Sequence, residues 1–231
     1  SKEKDNIAAV IIEPLIQGAG GMRVCRKEYL NKLIKIFKDS RIMVIFDEVM
    51  TGFGRTGKMF ALDHIAEKPD IICLAKSLTG GYIPLAATIF NEEIHREFVD
   101  SNFKKTFLHG HTFTANPVGC SAALASLNLF AKDETFKNIK KIEDTHRKCL
   151  STISKSSNIK KIRVLGSIAA FDLNDDRFKY GSKSGERLKQ EFLNRGLLLR
   201  PIGKTLYLMP PFCIKKKVLE DCYKIIEEVI N

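Results

Sequence analysis

Continuous apolar runs alternate with helical spacings along the first half of the sequence. Ala8-Ala9-Val10-Ile11-Ile12 reads as a strand buried on both faces, closed by Glu13-Pro14. The glycine-rich Gln17-Gly18-Ala19-Gly20-Gly21 that follows is expected to be flexible. From Glu28 to Asp39, the residues Tyr29, Leu30, Leu33, Ile34 and Phe37 recur at helical spacing. Ile42 to Phe46 is a second buried strand, ending at Asp47. Ile71 to Leu74 is a third, entered through Pro69-Asp70 and followed by Lys76. Leu85 to Phe90 is a fourth, with Asn91 placed to cap a helix running towards Val99.

The second half is patterned differently. Helical spacing holds from Pro117 to Phe130 and again from Glu134 to Ile153. A strand over Ile162 to Leu173, a helix from Ser184 to Asn194, short strands at Leu197 to Leu199 and Leu206 to Met209, and a helix from Lys215 to Ile230 complete the prediction. No internal repeat or low-complexity segment interrupts it.

Buried strands alternating with helices predict an α/β domain over residues 1–131, built on a mostly parallel sheet covered on both faces. Residues 132–231 form a smaller α+β domain in this reading. Ligands of such sheets bind beyond the carboxyl ends of strands, where Asp47 and Lys76 both fall.

Composition narrows the class. In 231 residues, 44% apolar and 28% charged, the longest apolar stretches are too short to cross a bilayer. No secretory signal is visible, although the chain opens with Ser1 rather than Met. Six dispersed cysteines without a CxxC pair predict reduced thiols and a cytoplasmic protein. The net charge of +11 raises a nucleic-acid reading. The lysines are scattered, however, and the densest runs, Lys160-Lys161 and Lys215 to Lys217, carry no interleaved aromatics. A solvated basic surface is the better reading, and an attraction for anionic ligands fits either one.

Gly52-Phe53-Gly54-Arg55-Thr56-Gly57 matches the dinucleotide pattern literally, and Gly52 to Lys58 nearly spells a P-loop. Asp47 to Met50 intervene between the strand and Thr51-Gly52, though, and Met59 stands where a P-loop needs Ser or Thr. A glycine-rich surface loop is expected instead. His109 and His111 form an HxH pair without an apparent third ligand, so no metal site is assigned.

Asp47 closes an apolar strand, where an ionised carboxylate calls for a cationic partner such as a protonated pyridine nitrogen. A solvated capping aspartate is the plain alternative. Lys76 emerges from a buried strand into a glycine loop, where partial desolvation would free its amine for Schiff-base chemistry. A snorkelling surface lysine is the alternative there.

The segments Ala9 to Pro14, Phe46 to Gly57 and Pro69 to Lys76 together resemble class III pyridoxal-phosphate (PLP) dependent aminotransferases of fold type I. The likeness is collinear along nearly the whole chain and implies the C-terminal portion of that family, with a partial large domain and a small α+β domain. Phe107 to Phe113, Asn116 to Cys120 and Arg200 to Pro211 further resemble the branch that aminates 8-amino-7-oxononanoate in biotin biosynthesis, with S-adenosylmethionine as the expected donor.

By this resemblance Asp47 pairs with the pyridine nitrogen. Lys76 holds PLP as the internal aldimine and then acts as the catalytic base. Thr112 donates to the PLP phosphate of a partner subunit, which implies a homodimer. Gly110 lines the substrate neighbourhood, where a side chain would crowd it. Arg200 binds a substrate carboxylate through its planar fork, and Tyr207 flanks that pocket. The role of Glu13 stays open.

Two departures from the family stand out. Met50 occupies the position where many relatives carry a glutamine donating to the cofactor's phenolic oxygen. Family segments that precede the Ala8 strand, with the phosphate loop and the ring-stacking aromatic, are absent. Another ω-amino transaminase, an aminomutase, a non-catalytic remnant and a basic nucleic-acid-binding protein are the competing readings.

Overall fold

The computed structural model describes residues 4–153 and 158–230. They fall into two compact units, each with its own sheet. The first comprises residues up to 15, 25–53 and 60–131, and the second comprises 16–24, 54–59 and 132 onwards.

In the first unit, β1 (Ala9–Ile12) pairs in parallel with β4 (Met43–Asp47). Between them in sequence, β2 (Ile16–Gln17) and β3 (Arg23–Val24) form a hairpin of the second unit, and α1 (Lys27–Asp39) crosses back to the sheet. β5 (Ile71–Leu74) lies parallel on the other side of β4, and β6 (Ala87–Phe90) closes the sheet antiparallel to β5. The order β1-β4-β5-β6 agrees with the mostly parallel α/β expectation. Val44, Phe46 and Leu74 are buried, as are Leu30 and Ile34 of α1, which packs on β4, whereas Ile11, Met43 and Ile89 stand exposed, so the described residues do not cover both faces of the sheet as the apolar runs predicted.

α2 (Glu92–Phe98) begins at Asn91, whose Oδ1 accepts from Ile94 N at 3.0 Å, as its cap position predicts. α3 (Pro117–Phe130) starts with Pro117 in its first turn and Asn116 as cap, accepting from Gly119 N at 2.7 Å.

The second unit contains α4 (Asp133–Ile153), β7 (Ile159–Leu165), β8 (Ile168–Leu173), α5 (Lys183–Asn194), β9 (Thr205–Leu208) and α6 (Lys216–Ile230). β7, β8 and β9 form an antiparallel sheet, with Phe171, Phe192, Leu206, Leu219 and Ile226 among the residues of one continuous core.

Three sequence expectations change. The single strand over 162–173 is two antiparallel strands joined at Gly166-Ser167, because Gly166 adopts φ +54° and turns the chain. Leu197 to Leu199 is not a strand, and Leu198 stands 75% exposed with no ladder partner. The stretch from Gln17 to Gly21 is held rather than free: Met22 is buried, and its N–H and that of Gly21 both donate to Gly18 O. No helix among the described residues is long and apolar enough to cross a membrane.

Candidate active site

Because β4 and β5 are parallel neighbours, their carboxyl ends lie on one edge of the sheet. Asp47 is the last residue of β4 and stands in register with Cys73 of β5, three positions ahead of Lys76. Asp47 is partly buried. Its Oδ1 accepts from Val49 N at 3.1 Å, and its other oxygen has no partner among the described residues.

Lys76 opens a 3-10 turn, Lys76–Thr79, that Gly80 closes in the left-handed conformation. Its own φ is +43°, a region that L-residues with a Cβ enter at a cost of roughly 1–2 kcal/mol. The turn is pinned from several directions. Gly81 N donates to Lys76 O at 3.2 Å, Ser126 Oγ of α3 donates to Ser77 O at 3.1 Å, and Thr79 Oγ1 donates to Ile83 O at 2.6 Å. A surface lysine with free choice of backbone would relax, so this turn holds Lys76 in place against its preference. The desolvation expected for it is not supplied by the described residues, among which Lys76 is exposed.

Gly110 and Thr112 belong to the same unit, in a segment without regular structure. A Cβ at Gly110 would meet nothing within 4 Å, so crowding there would have to come from molecules other than this chain. Thr112 is exposed, and the turn around it is made by Thr114 and His111, with His111 N donating to Thr114 Oγ1 at 3.1 Å. His109 and His111 extend an aromatic row that begins with Phe98 and Phe107. Phe103, Leu108 and Phe113 also stand largely exposed along this stretch.

Arg200 and Tyr207 lie in the second unit. Gly203, at φ +57°, turns the chain so that Ile202 bridges Thr205, and the segment leading from Arg200 doubles back antiparallel to β9, which carries Tyr207. Arg200 is exposed, and Tyr207 is half-buried beside Ala170. The Lys76 amine, the Thr112 hydroxyl, the Arg200 guanidinium and the Tyr207 hydroxyl make no hydrogen bond or ion pair with the described residues, which leaves them open to a ligand.

Sequence reasoning missed Glu48 and misjudged the loop after it. Glu48 is fully buried, and both carboxylate oxygens accept hydrogen bonds. Burial pushes its pKa up, while the Leu62 and Ala61 amides and the Thr51 hydroxyl pull it down and the Asp63 carboxylate adds to the rise. Its sequence signal was slight: one more acid after Asp47, at a strand end.

Residues 54–59 are not a surface loop either. Gly54 and Thr56 are buried within the second unit, and Arg55 donates from Nη1 to Pro210 O at 2.7 Å while its guanidinium sits 4.5 Å from the centre of the Phe212 ring. Burial pushes the Arg55 pKa down, and the guanidinium remains cationic.

An acid and an amine thus stand at the same edge of adjacent parallel strands, with the amine on a strained turn, as the resemblance to PLP-dependent transferases implies. The chain belongs to the class-III aminotransferase family, which it matches over residues 1–230. It is 45% identical over 226 residues to the adenosylmethionine-8-amino-7-oxononanoate aminotransferase of Synechococcus elongatus, covering 98% of this chain and 53% of that protein. The crystal structure of the enzyme of the same name from Methanocaldococcus jannaschii, 38% identical, superimposes with a TM-score of 0.91 over 99% of this chain and 55% of that one. An amine transaminase from an uncultivated Pseudomonas species, in its PLP-bound internal-aldimine form, is 33% identical with a TM-score of 0.89, over 98% of this chain and 52% of that one. The chain spans about half the length of the curated relatives it matches, between 52% and 53% of the first three.

Proposed function

We propose that this chain carries the cofactor-anchoring residues of a PLP-dependent aminotransferase. In this reading an amino group passes from S-adenosylmethionine to 8-amino-7-oxononanoate, giving 7,8-diaminononanoate for biotin biosynthesis. The observation that carries the reading is Lys76 held at φ +43° at the end of β5, beside the strand that ends in Asp47. The named relatives at 45% and 38% identity support the choice of substrate.

The residues fit the cofactor's chemistry. When bound, PLP supplies a carbonyl carbon that exchanges nitrogen and a cationic ring that withdraws electrons from the bond being broken. Asp47 presents a carboxylate with one uncommitted oxygen, which keeps a ring nitrogen protonated. Lys76 would supply the amine that holds the cofactor and would move a proton at the substrate carbon. Thr112 donates its hydroxyl to the phosphate in a partner subunit. Arg200 binds a substrate carboxylate with its fork, Tyr207 borders that pocket, and Gly110 leaves room for the substrate. Met50, without a hydrogen-bond donor, would not contribute one to the cofactor's phenolic oxygen.

A homodimer in the cytoplasm is part of the same reading, and the exposed Phe103, Leu108 and Phe113 favour an interface near Thr112. So is a division into a partial large domain, 1–131, and a small domain, 132–231.

Titration of the purified protein with PLP tests the reading. The expected result is saturable binding with a visible absorbance band that Lys76→Ala abolishes. A band that survives that substitution overturns the role of Lys76. With the cofactor in place, loss of the band on adding S-adenosylmethionine, but not other amines, supports the donor, and the reverse pattern points to another class III transaminase.

A further inference from the structure

Glu48 is buried to 0% exposure and held at five points in the first unit. Its Oε2 accepts from Thr51 Oγ1 at 3.0 Å and from Ala61 N at 2.7 Å, and its Oε1 accepts from Leu62 N at 2.8 Å. The two amides open the short helix Ala61–His64 and have no acceptor within it, so the carboxylate caps that helix from outside. In the main chain, Glu48 N donates to Cys73 O at 3.0 Å, and Glu48 O accepts from Gly52 N at 3.0 Å. Gly52 is required there, because a Cβ would stand 2.9 Å from Glu48 O.

Asp47, by contrast, is fixed by one bond inside this same turn, from Val49 N. Its free oxygen can therefore point consistently only if the peptides on either side of Glu48 are immobile. All three groups meeting the Glu48 carboxylate are donors, which favour the anion and partly offset the larger upward push of burial on its pKa. A buried negative charge one residue from Asp47 also adds to the potential that keeps a nearby ring nitrogen protonated.

We propose that Glu48 is a positioning residue, which aims Asp47 at the pyridine nitrogen through the turn from 47 to 52 and reinforces the proton there. The inference rests on the proposed pairing of Asp47 with that nitrogen. Glutamine at position 48 cannot reproduce the site, since its amide nitrogen would face the N–H of Ala61 or Leu62 and leave a buried donor unmatched.

The test uses the protein loaded with PLP carrying a nitrogen-15 label in its ring. The nitrogen chemical shift followed against pH reports the ring proton, PLP affinity comes from fluorescence titration, and thermal melting monitors the fold. In Glu48→Gln we expect the ring nitrogen to lose its proton at a pH lower by about 1 unit, with PLP affinity weakened about tenfold. Thr51→Val should shift both in the same direction by less, and Thr51→Ser should restore them. A Glu48→Gln titration that coincides with the unaltered protein, while only the melting temperature falls, overturns the proposal. Should Glu48→Gln fail to fold, Thr51→Val decides in its place, and an unmoved nitrogen titration again overturns it. Asp47→Asn separates the two layers: if it leaves the nitrogen titration unmoved, the pairing of Asp47 itself is wrong.

Discussion

The Nδ1 atom of His146 lies 2.7 Å from the Tyr223 hydroxyl, joining α4 to α6 inside a core from which both side chains are almost wholly excluded from water. On its other side Nε2 lies 3.2 Å from Ser167 O. A carbonyl only accepts, so the neutral ring carries its proton on Nε2, and Tyr223 donates to Nδ1. Burial is the main force on this histidine and lowers its pKa from 6.5 to about 4, against smaller pulls from the Ser167 carbonyl and Glu143.

That depression has a definite sign in pH. The unfolded chain takes up a proton near pH 6.5, whereas the folded one resists until about pH 4. Stability from this source is complete above pH 6.5 and is lost as the pH falls towards 4, by roughly 3 kcal/mol in all. Urea unfolding at pH 7.5, 6 and 5 should show the decline. His146→Gln, whose amide can still donate to Ser167 O and accept from Tyr223, should flatten it. An equal slope in the variant would assign the decline to other groups.

Gly166 and Gly57 make a second kind of lock. A Cβ on Gly166 would stand 2.3 Å from Gly57 N, 2.4 Å from Thr56 C and 2.6 Å from Arg55 O, all backbone atoms that cannot yield singly. Ser167 N also donates to Arg55 O at 3.0 Å, so the turn between β7 and β8 grips residues 55–57 closely. Gly166→Ala should cost about 3 kcal/mol or more, from overlap added to its positive φ. Gly181, also left-handed at φ +70° but with nothing within 4 Å, is the control. Its change to alanine should cost about 1 kcal/mol, from conformation alone. Comparable losses at the two positions in chemical denaturation would remove the close approach as a cause.

Arg163 holds the glycine-rich hairpin of β2 and β3. Its guanidinium donates to Met22 O and Gly21 O, both at 2.8 Å, and to Asp172 Oδ1 at 2.7 Å, with Arg163 and Asp172 both nearly buried. Removing one partner of a buried pair strands the other charge, so Asp172→Ala should cost about 3–5 kcal/mol. Replacing both residues by apolar ones of similar size, as in Arg163→Met with Asp172→Leu, should recover much of that loss. Hydrogen exchange at residues 18–22 should quicken in both variants, since each loses the arginine's grip or its anchor. Unchanged exchange there would mean the hairpin is held by other contacts.

These locks mark the limit of what the sequence could reveal. β1, β4 and β5 were legible because they are written as uninterrupted apolar runs, although Ile11 and Met43 stand exposed, and Asp47 and Lys76 stood out as the polar residues that follow. Asn91 and Asn116 announced their helices because a cap is a local device. The turn at Gly166-Ser167 was not legible, since Leu165 and Ile168 on either side continue the apolar pattern of one long strand. The packing of residues 55–57 involves Gly166, more than a hundred positions away, so six residues with two glycines, Gly54 and Gly57, read as an exposed loop. Glu48 was hidden for a similar reason, as two of its three side-chain partners are backbone amides of Ala61 and Leu62, which no residue identity betrays.

Lys76 itself should show the conflict between stability and chemistry. At φ +43° its side chain gains nothing from the described residues that would offset the conformational cost. Glycine enters this region freely but loses more chain entropy on folding, about 0.5–1 kcal/mol, against the roughly 1–2 kcal/mol relieved. Lys76→Gly should therefore stabilise the cofactor-free protein by about 0.5–1 kcal/mol, while Lys76→Ala, which keeps the Cβ, should leave it nearly unchanged. Both should lose the absorbance of bound PLP. The measurement is the difference in melting temperature between the two variants without cofactor. If glycine proves no more stable than alanine, the turn is not strained by its lysine, and the argument that the fold holds this residue for chemistry loses its footing.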